Sequence, residues 1–221
     1  MKLETLAAVN VERAARRPVI VVTDTANGEQ RLVRAADLAK QLRKGKSGMI
    51  EADGKKLFLN VYAPTARLVI VGAVHISQAL APLARSLDYD VTVVDPRTAF
   101  ASPERFPDVP LIAEWPDVAL PPLNVDHYTA FVALTHDPKI DDPALLHAFE
   151  RDCFYIGALG SRKTHAKRGE RLKAQGAGDA DIARIHAPIG LPIGAVSPSE
   201  IAVAIMAEIT AQLRLPKEKA A

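Results

Sequence analysis

The stretch Arg67-Leu68-Val69-Ile70-Val71-Gly72-Ala73-Val74-His75-Ile76-Ser77 constrains the fold more than any other part of the chain. A run of apolar β-formers meets a glycine, and a helix-like segment follows at once. Strand, tight turn and helix follow one another in this way in a nucleotide-binding α/β unit. About 20 residues on, at the distance such a unit requires, Val91-Thr92-Val93-Val94-Asp95 reads as a second buried strand that ends in an acid. In a Rossmann unit an acid at this place meets a ribose hydroxyl. The glycine fingerprint is only partly met: the positions of G-x-G-x-x-G are taken by Gly72, Val74 and Ser77. The second glycine normally lets a pyrophosphate approach the backbone, and Val74 puts a branched side chain there. The signal for the fold is therefore strong and the signal for a dinucleotide weak.

The whole chain is long enough for this unit and one smaller domain. It has 221 residues, 48% of them hydrophobic and 24% charged, as in an ordinary globular protein. A net charge of +2 does not point to nucleic acid or to a membrane surface. The one cysteine, Cys153, excludes an intramolecular disulfide and a cysteine-rich metal site. Glu4 and Glu12 interrupt any apolar stretch at the start, and no run approaches the roughly 20 apolar residues of a membrane span. The expected location is the cytoplasm.

Two domains and a tail are expected: a small N-terminal α+β domain over 1–65, a Rossmann-like domain over 66–216, and a flexible tail over 217–221. In the first, residues 3–16 read as an amphipathic helix with Leu3, Leu6, Ala7, Val11 and Ala14 on its apolar side. A strand follows at 18–23, Asn27-Gly28 signals a type I′ turn, 35–44 looks helical, and Asp53-Gly54 joins a second hairpin. From Leu68 the pattern alternates strand and helix, which argues for a parallel sheet flanked by helices. Strands are expected near 68–72, 91–95, 110–113, 130–134 and 154–158. Helices are expected near 75–87, 142–151, 161–175, 179–186 and 198–213. Pro82 should kink or split the first of these. Ser197, Pro198 and Glu200 have capping-box spacing at the start of the last.

Ligands of open α/β sheets bind at the carboxyl ends of the strands, and four stretches fall there. They are Gly72 to Ser77 with His75, Asp95-Pro96-Arg97, Leu134-Thr135-His136-Asp137, and Tyr155-Ile156-Gly157-Ala158-Leu159-Gly160-Ser161-Arg162-Lys163. In the last, Gly157 and Gly160 allow close backbone approach, Ser161 suits an N-cap, and Arg162 and Lys163 add charge where helix N–H groups are exposed. That is an anion site in outline. His75 and His136 are candidates for acid–base work or ligation, yet no third group has metal-ligand spacing. Asp95 has two readings, contact with a ribose or pairing with Arg97. Asp141 and Asp142 are read as helix caps before Pro143. The loop His186 to Ala195, with two prolines and two glycines among apolar residues, either covers a crevice or seals the sheet edge.

Taken in order, these motifs resemble the XdhC/CoxI family. The resemblance rests on Val69-Ile70-Val71-Gly72-Ala73-x-His75, Val93-x-Asp95-Pro96-Arg97, Leu134-Thr135-His136-Asp137, Tyr155-Ile156-Gly157-x-Leu159-Gly160-Ser161-Arg162-Lys163, Pro188-Ile189-Gly190-Leu191 and Pro198-x-Glu200-Ile201-Ala202. It covers about residues 66–214. It implies an accessory protein for molybdenum hydroxylases such as xanthine dehydrogenase or carbon monoxide dehydrogenase. Such a protein binds molybdenum cofactor, protects it while a sulfido ligand is added, and delivers it to the apo-enzyme. The partners implied are that apo molybdenum hydroxylase and a cysteine desulfurase. Where the family reads Gly-Ala-Gly-His this chain has Gly72-Ala73-Val74-His75, and residues 1–65 lack the family's Gly-Ser-x-Pro-Arg and Gly-Gly-Cys segments. The chain thus resembles a short or divergent member, with no N-terminal cysteine to relay sulfur.

The expected function is a cofactor-binding chaperone rather than a catalyst. Gly157, Gly160, Ser161, Arg162 and Lys163 would hold the cofactor's phosphate, and Gly72, His75, Asp95, Arg97 and His136 would line its pterin or molybdenum end. The rival readings are an NAD(P)-dependent oxidoreductase and an assembly factor that binds its client without cofactor. The apolar face of 198–213 suits burial against the sheet, with a homodimer as the alternative.

Overall fold

The computed structural model describes residues 2–34 and 45–215, and the chain divides into two compact units, one formed mainly by Met1–Pro64 and the other by Thr65–Leu213. The helix expected at 35–44 and the tail at 217–221 lie outside the described residues.

In the first unit, helix α1 (Leu3–Ala14) precedes strands β1 (Val19–Asp24), β2 (Gln30–Arg34), β3 (Gly48–Ala52) and β4 (Lys55–Tyr62). They form an antiparallel sheet in the order β2-β1-β4-β3. The face of α1 differs from expectation: Leu3 and Val11 are 81% and 62% exposed, while Val9 and Glu12 are buried. Val9 packs with Val19 and Val21. The Glu12 carboxylate takes Arg17 at 2.6 Å and Arg34 at 2.8 Å. Two cations from outside the helix thus set its rotation, which apolar periodicity alone could not disclose. The turn at Asn27-Gly28 also differs. Only Gly28 of the pair has positive φ, +74°, and a type I′ turn needs both. A wider loop is closed instead by Asp24 N–H to the Glu29 carbonyl (2.9 Å) and Gly28 N–H to the Asp24 carbonyl (2.8 Å). Asp53 and Gly54 do have positive φ, +52° and +71°, and join β3 to β4 directly between Ala52 and Lys55.

The second unit holds β5 (Arg67–Val71), α2 (His75–Ser86), β6 (Asp90–Val94), β7 (Leu111–Ile112), α3 (Pro116–Ala119), β8 (Thr129–Ala133), α4 (Pro138–Glu150), β9 (Tyr155–Ala158), α5 (Arg162–Ala174), α6 (Asp179–Ala183), β10 (Ile185–His186) and α7 (Pro198–Arg214). All six strands are parallel, in the order β10-β9-β8-β5-β6-β7. From β5 the chain steps outward to β6 and β7. It then returns to β8, on the other side of β5, and steps outward to β9 and β10. The reversal lies between β5 and β8, which is where doubly wound sheets open a crevice.

Alternation along the strands builds two cores. Leu68, Ile70, Val91, Val93, Ala130 and Val132 face one way, with Leu80 and Ala84 of α2 and Ile205 and Ile209 of α7. Val69, Val71, Phe131 and Ala133 face the other, with Ile140, Ala144, Leu145 and Ala148 of α4. Burial on both faces is why these strands read as continuous apolar runs, at about 1.5–3 kcal/mol for each large side chain. The apolar face of α7 is buried in this core. Helix α2 runs through Pro82 without a break. Helix α4 begins at Pro138, earlier than expected, and α6 ends at Ala183 because Ile185–His186 turn into the edge strand β10.

The segment after β10 seals that edge. Ile189 lies on Gly157, where a Cβ would come within 2.5 Å of Ile189 Cδ1. Gly190, with φ +92°, sits against the Ala204 backbone of α7. Glu208 of α7 ties the corner together: it accepts from Tyr155 Oη (2.6 Å) and Gly190 N–H (2.8 Å), and pairs with His186 Nδ1 at 3.0 Å. The Tyr155 and His186 rings stack with centroids 4.6 Å apart. Burial alone would raise the Glu208 pKa, but these three bonds outweigh it and hold the carboxyl below its usual range. Glu208→Ala should lower the unfolding free energy by about 3 kcal/mol, since it leaves a buried phenol and N–H without their acceptor. A urea midpoint unchanged from the wild type would show that packing of Ile189, not Glu208, holds the corner.

Candidate functional site

The turn after β5 is closed by bonds from within. Gly72 has φ +118°, and a Cβ there would lie 2.9 Å from Thr135 Cγ2 and 3.1 Å from the Thr135 nitrogen. Glycine is therefore what allows the loops after β5 and β8 to touch at the switch point. The Gly72 N–H donates to the Val94 carbonyl at 2.8 Å. The buried Ser77 hydroxyl, from the first turn of α2, donates to the Gly72 carbonyl. Ser77 holds the third fingerprint position, and here a hydroxyl clasps the turn. Val74 is extended and packs partly buried against the core. Arg105 adds a second clasp: Nη1 donates to the Ala73 and Phe100 carbonyls (2.8 and 2.7 Å) and Nη2 to Gln78 Oε1 (2.9 Å). Nothing in the sequence marked Arg105, because its acceptors are mostly main-chain groups assembled only by folding.

At the end of β6, Asp95 has no exposed surface. Its Oδ2 accepts from Ala73 N–H (2.8 Å) and Arg97 Nη2 (2.7 Å), and its Oδ1 from Arg97 N–H and Nε (both 2.9 Å). Of the two readings of Asp95, the geometry is that of pairing with Arg97. Burial would raise the Asp95 pKa, but the Arg97 bonds and two backbone N–H groups hold it below the usual carboxylate range. The Arg97 guanidinium lies 4.5 Å above the Phe100 ring, and the Asp95 bonds raise its own pKa.

The loop after β8 corrects the assignment of the caps. Asp137 caps α4 by accepting from Lys139 N–H at 2.9 Å. Asp141 and Asp142 lie inside the helix and are buried. Asp141 turns back to the loop, accepting from the Thr135 hydroxyl (2.6 Å), Thr135 N–H (3.3 Å) and His136 N–H (3.0 Å). Burial raises its pKa despite those bonds. Asp142 takes a two-pronged bond from Arg171 of α5, at 2.6 and 3.0 Å. The shift came from Pro143, which suggested a helix start there, while Pro138 already occupies the first helical position.

The loop after β9 is reached by a residue that sequence reasoning missed. Arg168 of α5 is 2% exposed, donates from Nη2 to the Leu159 carbonyl at 2.7 Å, and stands 3.9 Å from Asp141 Oδ2. Asp141 and Arg168 thus connect the loops after β8 and β9. A buried arginine in a strongly polar helix is indistinguishable in sequence from its exposed neighbours. His136, exposed and at φ +65°, brings Cε1 within 3.7 Å of where a Gly160 Cβ would be. Gly160 has φ +133°. Ser161 caps α5 as expected, accepting from Thr164 N–H at 3.2 Å. Arg162 and Lys163 are exposed and form no ion pair among the described residues. Gly157 lies within β9, beneath Ile189. His75 opens α2, exposed, with no hydrogen-bond partner among the described residues. Side-by-side strands therefore bring the four stretches to one edge. Gly72 meets Thr135 and His136 meets Gly160, while Asp95 and Gly157 face inward.

Comparison with known proteins accords with this architecture. The family profile described as the XdhC Rossmann domain matches residues 68–209. A protein of Bacillus subtilis strain 168, named as a probable subunit of xanthine dehydrogenase, is 34% identical over 154 residues, 69% of this chain and 44% of that one. The molybdenum cofactor insertion chaperone PaoD of Escherichia coli K12 is 32% identical over 158 residues, 72% of this chain and 43% of that one. The chain spans less than half the length of these curated relatives. A crystal structure of a xanthine dehydrogenase from Bacillus halodurans superposes with a TM-score of 0.68 at 23% identity, over 99% of this chain and 66% of that one. At that identity the likeness concerns the fold alone. No helix among the described residues is long and apolar enough to cross a membrane.

Because folding lowers the Asp95 pKa, its contribution to stability is complete above the unfolded value, about pH 4. It is lost as the pH falls through the lower folded value. Asp95→Asn should cost about 2 kcal/mol near neutrality, and the gap from the wild type should close as urea midpoints are followed down to about pH 2. A gap that stays constant with pH would show that the carboxylate's charge contributes nothing.

Proposed function

The chain belongs to the XdhC family, and on that footing we propose that it carries molybdenum cofactor as cargo and assists the maturation of a molybdenum hydroxylase. One observation carries the reading: two cations without ion-pair partners among the described residues stand at the capped start of α5, beside an exposed histidine from the neighbouring loop. Helix N–H groups, Arg162 and Lys163 suit a phosphate, and the cofactor's pterin ends in one. The relatives named as an insertion chaperone and as part of a xanthine dehydrogenase support the same role.

In this reading Gly160 and Ser161 shape the phosphate seat, and Arg162 and Lys163 supply its charge. His75, His136 and the solvent-facing part of Arg97 meet the pterin or the molybdenum oxo groups. Gly72, Asp95 and Gly157 act indirectly, by holding the turns and the strand on which these residues stand. The bound cofactor would supply the client's hydroxylation chemistry, and this chain's residues hold and shield it. The client is a hydroxylase such as xanthine dehydrogenase or carbon monoxide dehydrogenase. Sulfur for the sulfido ligand comes from a separate cysteine desulfurase, since burial pushes the Cys153 thiol up to about 12 and leaves it unreactive.

The test uses protein purified from a host that makes molybdenum cofactor. Oxidation and release should give about one fluorescent pterin per chain, with molybdenum in parallel. Arg162→Ala combined with Lys163→Ala should lose the pterin while thermal unfolding is unchanged, since both side chains are exposed. Full pterin content in that variant would overturn the phosphate seat. No pterin in the wild type, even after free cofactor is added, would overturn the carrier role.

A further inference from the structure

We infer that the half of the crevice built from β5, α2 and β6 excludes a nucleoside, with Arg97 and Val74 as the residues that close it. In a dinucleotide half-site the acid at the end of the second strand keeps lone pairs for ribose hydroxyls, and the turn keeps backbone N–H groups for a pyrophosphate. Here the acid's lone pairs are taken, and so are the first two N–H groups of the turn. A carboxylate has about four lone-pair sites. Those of Asp95 are filled by Ala73 N–H and by the main-chain N–H, Nε and Nη2 of Arg97, at 2.7 to 2.9 Å. The carboxylate is also wholly buried. A ribose hydroxyl therefore binds only by displacing Arg97, at the cost of two charge-assisted bonds. Arg97 is held from its far side as well, by the Phe100 ring at 4.5 Å.

The turn is closed in the same manner. Its Gly72 N–H is bound by the Val94 carbonyl and its Ala73 N–H by Asp95. The next residue, where a glycine would admit phosphate oxygens, is Val74, extended and packed on the core. Arg97 Nη1 is the guanidinium nitrogen left without a hydrogen-bond partner among the described residues. The end of β6 thus presents a cation where a dinucleotide site presents an acid. The half-site is built to meet an anionic or oxo group and to reject a sugar. Joined to the proposed function, on which this last step rests, this half-site receives the pterin or molybdenum end of the cofactor, whose phosphate lies at the start of α5.

The full chain titrated with NADH, followed by nicotinamide fluorescence and by competition with AMP, tests the exclusion directly. The wild type should show no saturable binding up to about 1 mM. Arg97→Ala combined with Val74→Gly should bind NADH at least about tenfold more tightly than the wild type, since a charged acceptor is freed for a hydroxyl. Saturable micromolar binding by the wild type would overturn the inference, and that measurement does not depend on any variant folding. A folded double variant that binds no better would overturn the roles of Arg97 and Val74. Pterin release from the wild type separates the two proposals: absence of pterin would strike the carrier role alone, with the NADH titration still deciding the exclusion.

Discussion

The burial of the Asp95 carboxylate is the constraint on which the crevice depends. A charge taken wholly out of water is costly unless it is paired and fully hydrogen-bonded. Asp95 meets that condition only when the turn after β5, the end of β6 and the Arg97 side chain are all in place. The cost of burial thus becomes a demand on geometry: any other course of the turn leaves a charge without partners. Ser77 and Arg105 then close the same turn from the helix and from the loop after β6.

The same device recurs along the carboxyl edge of the sheet. Asp141 receives main-chain N–H groups of Thr135 and His136, and Glu208 receives that of Gly190. Three acids, each from a strand end or a helix, hold three loops by the backbone. A loop held by its backbone keeps its course while its outward side chains vary. That division leaves His75, His136, Arg162 and Lys163 exposed on a rigid support, as a binding site requires.

Much of the second unit was legible in the sequence. Parallel strands buried on both faces appear as apolar runs, and the glycines, histidines and acids that follow them mark strand ends. What stayed hidden depended on partners distant in the chain. The rotation of α1 is set by Arg17 and Arg34 meeting Glu12. Asp141 looks like a cap beside Pro143, yet its acceptors serve a loop that lies before the helix. Gly157 resembles a phosphate-loop glycine, and its reason is the Ile189 side chain of a later segment. Arg168 sits among exposed basic residues, and only the folded chain distinguishes it.

Cys153, just before β9, is 3% exposed, and it is the one thiol in the chain. A thiol so placed reacts only when the core that covers it opens. The protein therefore carries its own clock for conformational opening: the slow alkylation of a single native sulfur measures how often that core is breached, with no label introduced and no residue changed.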